Sequence, residues 1–566
     1  MAGTAELELK FAYDEAVGQS LGRAGFDQAR VWRTVRLWTT YYDTPDGALA
    51  RARVALRVRK TPEGYVQTVK ADGEVPFERF EFERPIPGSN PQLNALPGID
   101  THAGKVIHRH FESLRALFVT DFERRIWRIQ ATRSLLIELC VDNGEITAEL
   151  PDAQQDELGG TPIARTVRWP IRELEIERIA GTRLGFLWWA LRFAERHRLH
   201  LILPTKHERG LRLCGRLPVV PEPIRGADSP LKGSQTVGEA AAAALREALI
   251  HLLGNVDPLL QGDDTEAIHQ LRVALRRLRS TIRFFALTDR DPRWRWVEQT
   301  ARSLLNGSGE ARDADVFSLG LLEEVRAAFP NDPAITALVL GAQRVRAQAR
   351  HRNREMFSDR TVTRFALTVL YLCERLALHL KSRTARRPPQ RATAARQALS
   401  SEPAAPRTAS RPFPPEDPAE VAIAPLEDAL RPYAFEHLLA SWHRLERRMR
   451  KARSPQDWHR ARLSAKNLRY ALELTLPTLP KPRRMRLALR QLIKLQQRLG
   501  EEHDQIVGGA IAHRIAGEAQ LLADEAQRAT GLIEGWSARS ATPSSDLHAT
   551  ARRIEARLTK LMAVLS

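Results

Sequence analysis

Cysteine is scarce in this chain: three in 566 residues, Cys140, Cys214 and Cys373. They are odd in number, scattered, and in no metal-ligand spacing. That excludes a disulfide-stapled scaffold and a cysteine metal site, and fits a reduced, cytoplasmic protein. Long apolar runs are missing too. No stretch reaches the about 18 apolar residues that a membrane span needs. Met1 leads straight into charged residues without a basic-then-apolar leader, so export is not expected. Aromatics make up only 6% of the chain. Acid is the minority charge: 68 Asp+Glu stand against 87 Lys+Arg, a net +19. The excess is uneven. Through Val220 there are 32 basic and 29 acidic residues, or +3; the rest holds 87 − 32 = 55 basic and 68 − 29 = 39 acidic residues, or +16. Such a field attracts polyanions, and charge alone does not choose among nucleic acid, anionic membrane and polyphosphate. A chain this long exceeds one core and predicts roughly two to four domains.

Residues 5–213 alternate polar and apolar as strands do, at Glu6–Phe11, Val54–Lys60, Gly64–Val69, Arg79–Pro85, Phe122–Gln130, Leu135–Val141 and Arg172–Ile179. Turns are read at Thr44-Pro45-Asp46-Gly47, Thr61-Pro62-Glu63-Gly64 and Asp142-Asn143-Gly144. Helical patterns intervene at Asp14–Ala24, Lys105–Leu117 and Arg183–His197. Many short strands predict a closed antiparallel barrel with flanking helices over residues 1–215. A Pro/Gly-rich linker follows at 216–235. Long Ala/Leu/Arg-rich helices then fill 236–535 and a C-terminal extension, 536–566. The stretch 381–418, dense in Pro, Ala, Arg and Ser, reads as disordered. It separates two copies of one unit, 236–380 and 419–535. Glu266–Arg279 and Gln456–Arg469 match, with His269, Arg272, Arg276 and Arg279 answered 190 positions on by His459, Arg462, Lys466 and Arg469. Glu310-Ala-Arg-Asp313 is echoed by Glu501-Glu-His-Asp504. The fold class is thus multidomain α+β: a β-barrel, then an all-α double bundle.

In Glu6-Leu7-Glu8-Leu9-Lys10, strand alternation sends the leucines one way and the three charges the other. Burying unpaired charge is costly. This face meets solvent, with ion pairs across strands, or it lines a polar lumen. The pattern returns at Glu173, Glu175 and Glu177. Two acidic faces beside abundant arginine point to a cavity for metal ions and a polyanion.

The set resembles the CYTH, or triphosphate tunnel metalloenzyme, superfamily. Leu56-Arg57-Val58-Arg59 is similar to its Leu-Arg-x-Arg strand, Thr68-Val69-Lys70 to its Thr-x-Lys, and Arg79-Phe80-Glu81-Phe82-Glu83 to its Arg-x-Glu-x-Glu. Arg124-Arg125 falls at a tunnel arginine, Glu138–Asp142 at the strand with a metal-binding Asp, and Lys206-x-x-Arg209-Gly210 at the closing Ser-Lys-x-x-Arg-Gly. Ala71, Thr205 and Ile179 depart from the family's Gly, Ser and Lys. The resemblance implies Glu6, Glu8, Asp142, Glu175 and Glu177 as ligands of two Mg²⁺ or Mn²⁺ ions. It implies Lys10, Arg57, Arg59, Lys70, Arg124, Lys206 and Arg209 as phosphate-holding groups. The implied reaction is hydrolysis of inorganic triphosphate.

His269, Arg272, Arg276, Arg279 and Arg283 share one helix face, as do His459, Arg462, Lys466 and Arg469. Stacked like charges repel unless an anion is present. The two helices resemble the CHAD domain, the conserved histidine α-helical domain, over about residues 230–535, which implies polyphosphate as partner. Lys466 and His503 stand where that family has Arg. Nucleic acid competes as a phosphate chain, but no aromatics interleave the stripe for base stacking. The expected protein is a cytoplasmic inorganic triphosphatase with a polyphosphate-binding half, associated with polyphosphate granules. The alternatives are turnover of thiamine triphosphate, a nucleoside triphosphate or polyphosphate ends, adenylate cyclisation, and a non-catalytic polyphosphate scaffold.

Overall fold

The computed structural model describes residues 4–13, 33–72, 78–151, 164–289, 291–384, 428–539 and 544–563. The expected helix at Asp14–Ala24 and the disorder expected over 381–418 lie outside them, apart from the end of one helix at 384.

Nine strands form one antiparallel sheet: β1 (Thr4–Ala12), β2 (Arg33–Asp43), β3 (Val54–Thr61), β4 (Gly64–Asp72), β5 (Glu78–Ile86), β6 (Arg115–Gln130), β7 (Leu136–Pro151), β8 (Ala164–Ala180) and β9 (His200–Leu201). Their order is β5-β4-β3-β2-β6-β7-β8-β1-β9. β1 pairs with β8 through Glu8–Ala12 and with the far strand β5 through Thr4–Leu7. The pairing gives an antiparallel sheet whose ends meet over half of β1, rather than a barrel joined along full strands. Alternation on β1 is as expected: Leu7, Leu9 and Phe11 are buried in the core, while Glu8 and Lys10 face a cavity.

Three local expectations are corrected. The helix expected over Lys105–Leu117 ends at His110, and Arg115 already starts β6. β2 was not read from the sequence at all. Asp142-Asn143-Gly144 is not a turn but the middle of β7, opposite Arg124, Glu123 and Phe122. Gly144 is there for close approach: a Cβ would lie 2.2 Å from the Asp121 carbonyl oxygen and 2.4 Å from Phe122 Cα.

Among the described residues, four helices accompany the sheet: α1 (Ala48–Arg51), α2 (His102–His110), α3 (Arg183–His197) and α4 (Lys206–Leu213). No helix or strand is present from Cys214 to Thr236, where the linker was expected. Thirteen further helices are described: α5 (Val237–Leu253), α6 (Val256–Gln261), α7 (Thr265–Phe284), α8 (Pro292–Gly307), α9 (Gly309–Leu319), α10 (Leu321–Ala328), α11 (Pro333–Ser358), α12 (Arg360–Thr384), α13 (Leu430–Lys451), α14 (Pro455–Thr475), α15 (Pro482–Glu518), α16 (Ala523–Arg539) and α17 (Ser544–Met562). The starts of the two repeats meet, with Val237 N donating to Asp428 O at 2.9 Å. One apolar core runs from Leu9 and Ile176 through Phe186 and Phe193 on α3 into the helices. Trp188 of α3 packs on Tyr371 of α12, centroids 5.3 Å apart. Among the described residues no helix is long and apolar enough to cross a membrane.

Candidate active site

A cavity of about 630 Å³ opens against the polar face of the sheet. Seven acidic residues (Glu8, Glu81, Glu83, Glu138, Glu175, Glu177, Glu208) and seven basic ones (Lys10, Arg53, Arg57, Arg59, Lys70, Arg124, Lys206) line it. So nearly balanced a wall suits neither a bare anion nor a bare cation. It suits a metal–anion pair.

Strand register sorts one wall into levels. Glu8, Glu177 and Glu138 lie opposite one another on β1, β8 and β7. Directly opposed side chains are close neighbours. One level along stand Lys10 and Glu175, and beyond them Glu173, Asp142 and Arg124. The last level is neutralised from within. Asp142, fully buried, accepts from Arg124 at 2.6 Å and pairs with Lys206 at 2.8 Å. Lys206 also pairs with Glu175 at 2.8 Å and with Glu173, and Arg209 pairs with Glu173. Burial opposes the charge on Glu175, but Lys206, Arg124 and Lys10 outweigh it and hold the carboxyl well below its usual range. The first level is compensated less completely: Lys10 pairs with Glu8 at 3.5 Å and Arg128 with Glu138 at 3.3 Å, while Glu177 makes no ion pair among the described residues. Burial, then Glu8 and Glu138, push the Glu177 carboxyl up to about 7.

Across the cavity, Lys70 pairs with Glu81 at 2.9 Å, and Arg57 with Glu81 at 3.2 Å and Glu83 at 3.7 Å. Arg59 has no carboxylate partner among the described residues; its Nε donates to Thr39 at 3.3 Å. Burial, then Arg57 and Arg124, lower its guanidinium to about 10. An arginine that crowded by like charge is poised for an anion.

Lys206 reaches this point because α4 begins there. Thr205 caps it: its hydroxyl accepts from Glu208 N at 3.1 Å, and Glu208 accepts from Thr205 N at 2.7 Å. Threonine thus does a capping serine's work. Gly210 lets α4 lie on β6; a Cβ there would sit 2.1 Å from the Phe118 ring.

Of the expected residues, Glu8, Glu175, Glu177, Lys10, Arg57, Arg59, Lys70, Arg124 and Lys206 line the cavity. Asp142 and Arg209 stand behind it, and the Glu6 side chain lies outside the described residues. Sequence reasoning did not place Glu81, Glu83, Glu138, Tyr41, Phe122 or His207 at the site. The acidic three carried a signal, alternation on strands already read. The aromatics carried none.

The cavity's aromatic faces are taken. Tyr41 stacks on Phe118 at 4.7 Å and on His207 at 5.5 Å. The Phe122 ring has Arg124 at 5.6 Å and Lys206 at 5.1 Å.

In the helical half, α7 and α14 pack together with their basic stripes merging. Arg272 donates to Leu305 O and Ser308, Arg279 and Arg283 to Glu298, and Arg469 to Glu473. Arg276, Arg462 and Lys466 have no carboxylate partner among the described residues. Burial, then Arg276 and Arg462, lower the Lys466 ammonium to about 8. His269 is half-buried on the stripe and His459 exposed. The side chains of Glu501–Asp504 lie outside the described residues.

A mixed-charge cavity on an antiparallel sheet, joined to a mostly basic helical groove, defines a class, and the family comparisons agree with it. The CYTH domain model matches residues 4–211 and the CHAD domain model residues 243–513. The chain is a CYTH–CHAD protein. It is 29% identical over 185 residues to an inorganic triphosphatase of Haemophilus influenzae, covering 31% of this chain and 46% of that one. It therefore spans about half the length of that curated relative. The crystal structure of the CHAD domain from the plant Ricinus communis is 22% identical, covers 59% of this chain and 96% of its own, and has a TM-score of 0.46. PptA from Streptomyces chartreusis is 16% identical, covers 58% and 100%, and has a TM-score of 0.37. The triphosphatase relative and the CYTH match support hydrolysis of a triphosphate. The family is one of metalloenzymes, and Asp142, Glu173 and Glu175 bring oxygens within 4.8 Å of one another, close enough to hold an ion.

Proposed function

We propose that the β-domain closes into a tunnel that hydrolyses inorganic triphosphate to pyrophosphate and phosphate with Mg²⁺ or Mn²⁺, and that the α7/α14 groove binds polyphosphate. The observation that carries the reading is Glu177, without an ion pair among the described residues and set between Glu8 and Glu138, in a cavity that six of the expected phosphate-holding cations also line.

The donors fit a hard divalent ion, being carboxylate oxygens only. Glu177 has no cation of its own and Glu8 and Glu138 have one each, so we assign the first ion to these three; Glu6, two residues before Glu8 on β1, is the further candidate. Asp142, Glu173 and Glu175 already hold Arg124, Lys206 and Arg209. Asp142 and Glu175 would hold a second ion, in exchange for their pairs with Lys206 and Arg124. When bound, such ions neutralise phosphate charge and acidify a bound water.

Lys10, Arg57, Arg59, Lys70, Arg124 and Lys206 hold the phosphate oxygens by charge-assisted hydrogen bonds. Arg209 acts from behind, through Glu173. Water attacks the terminal phosphorus; the bond to the bridging oxygen breaks, and pyrophosphate leaves with the electron pair. Catalysis is positioning and charge neutralisation. The covered aromatic faces favour a bare triphosphate over nucleoside or thiamine triphosphates, which want a ring to stack on.

The test is phosphate release from tripolyphosphate, ATP, thiamine triphosphate and long-chain polyphosphate, with Mg²⁺ or EDTA, beside Glu6→Ala/Glu8→Ala. Metal-dependent turnover of tripolyphosphate above the others, lost in the variant, is expected. No turnover of any substrate overturns the reading in favour of a binding scaffold.

A further inference from the structure

We propose that the outer faces of α15 and α17 form a second anion track that takes over a long polyphosphate chain where it leaves the α7/α14 groove; the inference rests on the groove reading above.

On α15, Arg486, Arg490 and Lys494 follow one another at steps of four and are exposed, with Arg483 a turn earlier. None pairs with a carboxylate among the described residues, and the sequence has no Asp or Glu between Pro482 and Leu499. Steps of four put the charges about 6 Å apart along the helix axis. At that spacing like charges destabilise a helix, so without an anion the arrangement is a cost.

The neighbouring helix repeats the pattern independently. The start of α15 lies against the end of α17, where Arg484 donates to the Lys560 carbonyl oxygen. α17 exposes Arg557 and Lys560, again without carboxylate partners among the described residues. This half of the track lies beyond the CHAD match, which ends at 513.

The repeat places the track at the groove's rim. Asp313 and Asp504 differ by 504 − 313 = 191. By that offset Glu298, which holds Arg279 and Arg283, corresponds to Leu489, and Arg302 corresponds to Ile493. Arg490 and Lys494 are each one residue further round the helix. α14 packs against both α7 and α15, so a chain leaving the groove meets α15 next. A single line of cations suits one flexible polyanion. Duplex DNA is less suited, and no free ring offers single strands a stack: Trp458, near α17, is covered by His548 at 4.1 Å and Arg552 at 5.7 Å.

The test uses the full chain and Arg486→Gln/Arg490→Gln/Lys494→Gln, with a short oligophosphate, long-chain polyphosphate and duplex DNA as probes, each titrated against salt. Short-chain affinity is expected unchanged. Long-chain affinity is expected to fall about 10- to 100-fold, and its log–log salt slope to flatten by about two, as three lost phosphate contacts require. Unchanged long-chain affinity overturns the track. Duplex binding that exceeds long-chain binding and is lost in the variant overturns its assignment to polyphosphate. A wild-type chain that ignores the short probe overturns the groove reading instead, which separates the two failures.

Discussion

The two halves handle charge in opposite ways. The cavity of the β-domain carries seven acids and seven bases, and Lys10, Arg57, Lys70, Arg124 and Lys206 each pair with a carboxylate. The groove of the helical half carries Arg276, Arg462 and Lys466 with no ion pair among the described residues; Glu298 and Glu473 hold its outer cations, and Asp313 stands near Arg272 and Arg276. An internally neutralised site gives up its own ion pairs when a ligand arrives, which penalises any anion that comes without its metal. A mostly basic groove gives up little beyond water and counterions. The first arrangement discriminates; the second concentrates.

The comparison breaks most visibly if the acids are removed. Glu8→Gln with Glu177→Gln should lower triphosphate turnover by about 10³-fold, as loss of a metal that stabilises transition-state charge implies, while long-chain polyphosphate binding stays the same. A fall in both, measured by phosphate release and by titration, would join two functions that the charge pattern keeps apart. The reverse variant, Arg276→Gln/Arg462→Gln/Lys466→Gln, should weaken polyphosphate binding about 10²-fold at low salt and less at high salt, where screening reaches within about 10 Å, with turnover retained.

Acidity sharpens the contrast. Glu177 sits at about 7 in the fold against a usual 4.5, raised by burial, then by Glu8 and Glu138. A carboxyl raised on folding supports the fold below its unfolded value and loses that support as pH rises through the folded one. The melting temperature of the metal-free protein should therefore fall between about pH 5 and about pH 7. In Glu177→Gln the fall should be absent, and Mg²⁺ should restore the wild type at the upper end. A flat profile in the wild type would place the uncompensated charge elsewhere.

What the sequence made legible was local. Alternation in Glu6-Leu7-Glu8-Leu9-Lys10 fixed which face of β1 carries charge, and helix periodicity fixed the stripes on α7 and α14. What stayed hidden depended on partners far along the chain. Glu138 belongs with Glu8 only because β8 lies between β7 and β1, and no local pattern states that register. Asp142-Asn143-Gly144 has turn composition, yet the long β6–β7 hairpin runs through it, since a glycine can also serve a close backbone approach. The compensation of Asp142 by Lys206, 64 positions on (206 − 142), needed α4 folded back against the sheet.

The smallest effect probes how the tunnel's cations stay extended into the cavity rather than collapsing onto acids. Phe122 presents its ring to both Arg124 and Lys206, at 5.6 and 5.1 Å. Each such contact is worth about 0.5–2 kcal/mol. Phe122→Leu keeps an apolar side chain over Gly144 but removes the π face. The Michaelis constant for tripolyphosphate should rise up to about tenfold, with kcat less affected, and Phe122→Tyr should restore it. If Leu and Tyr behave alike, the ring only fills space, and the carboxylates Asp142, Glu173 and Glu175 orient the two cations. The tunnel would then differ from the groove in charge balance but not in how its bases are held.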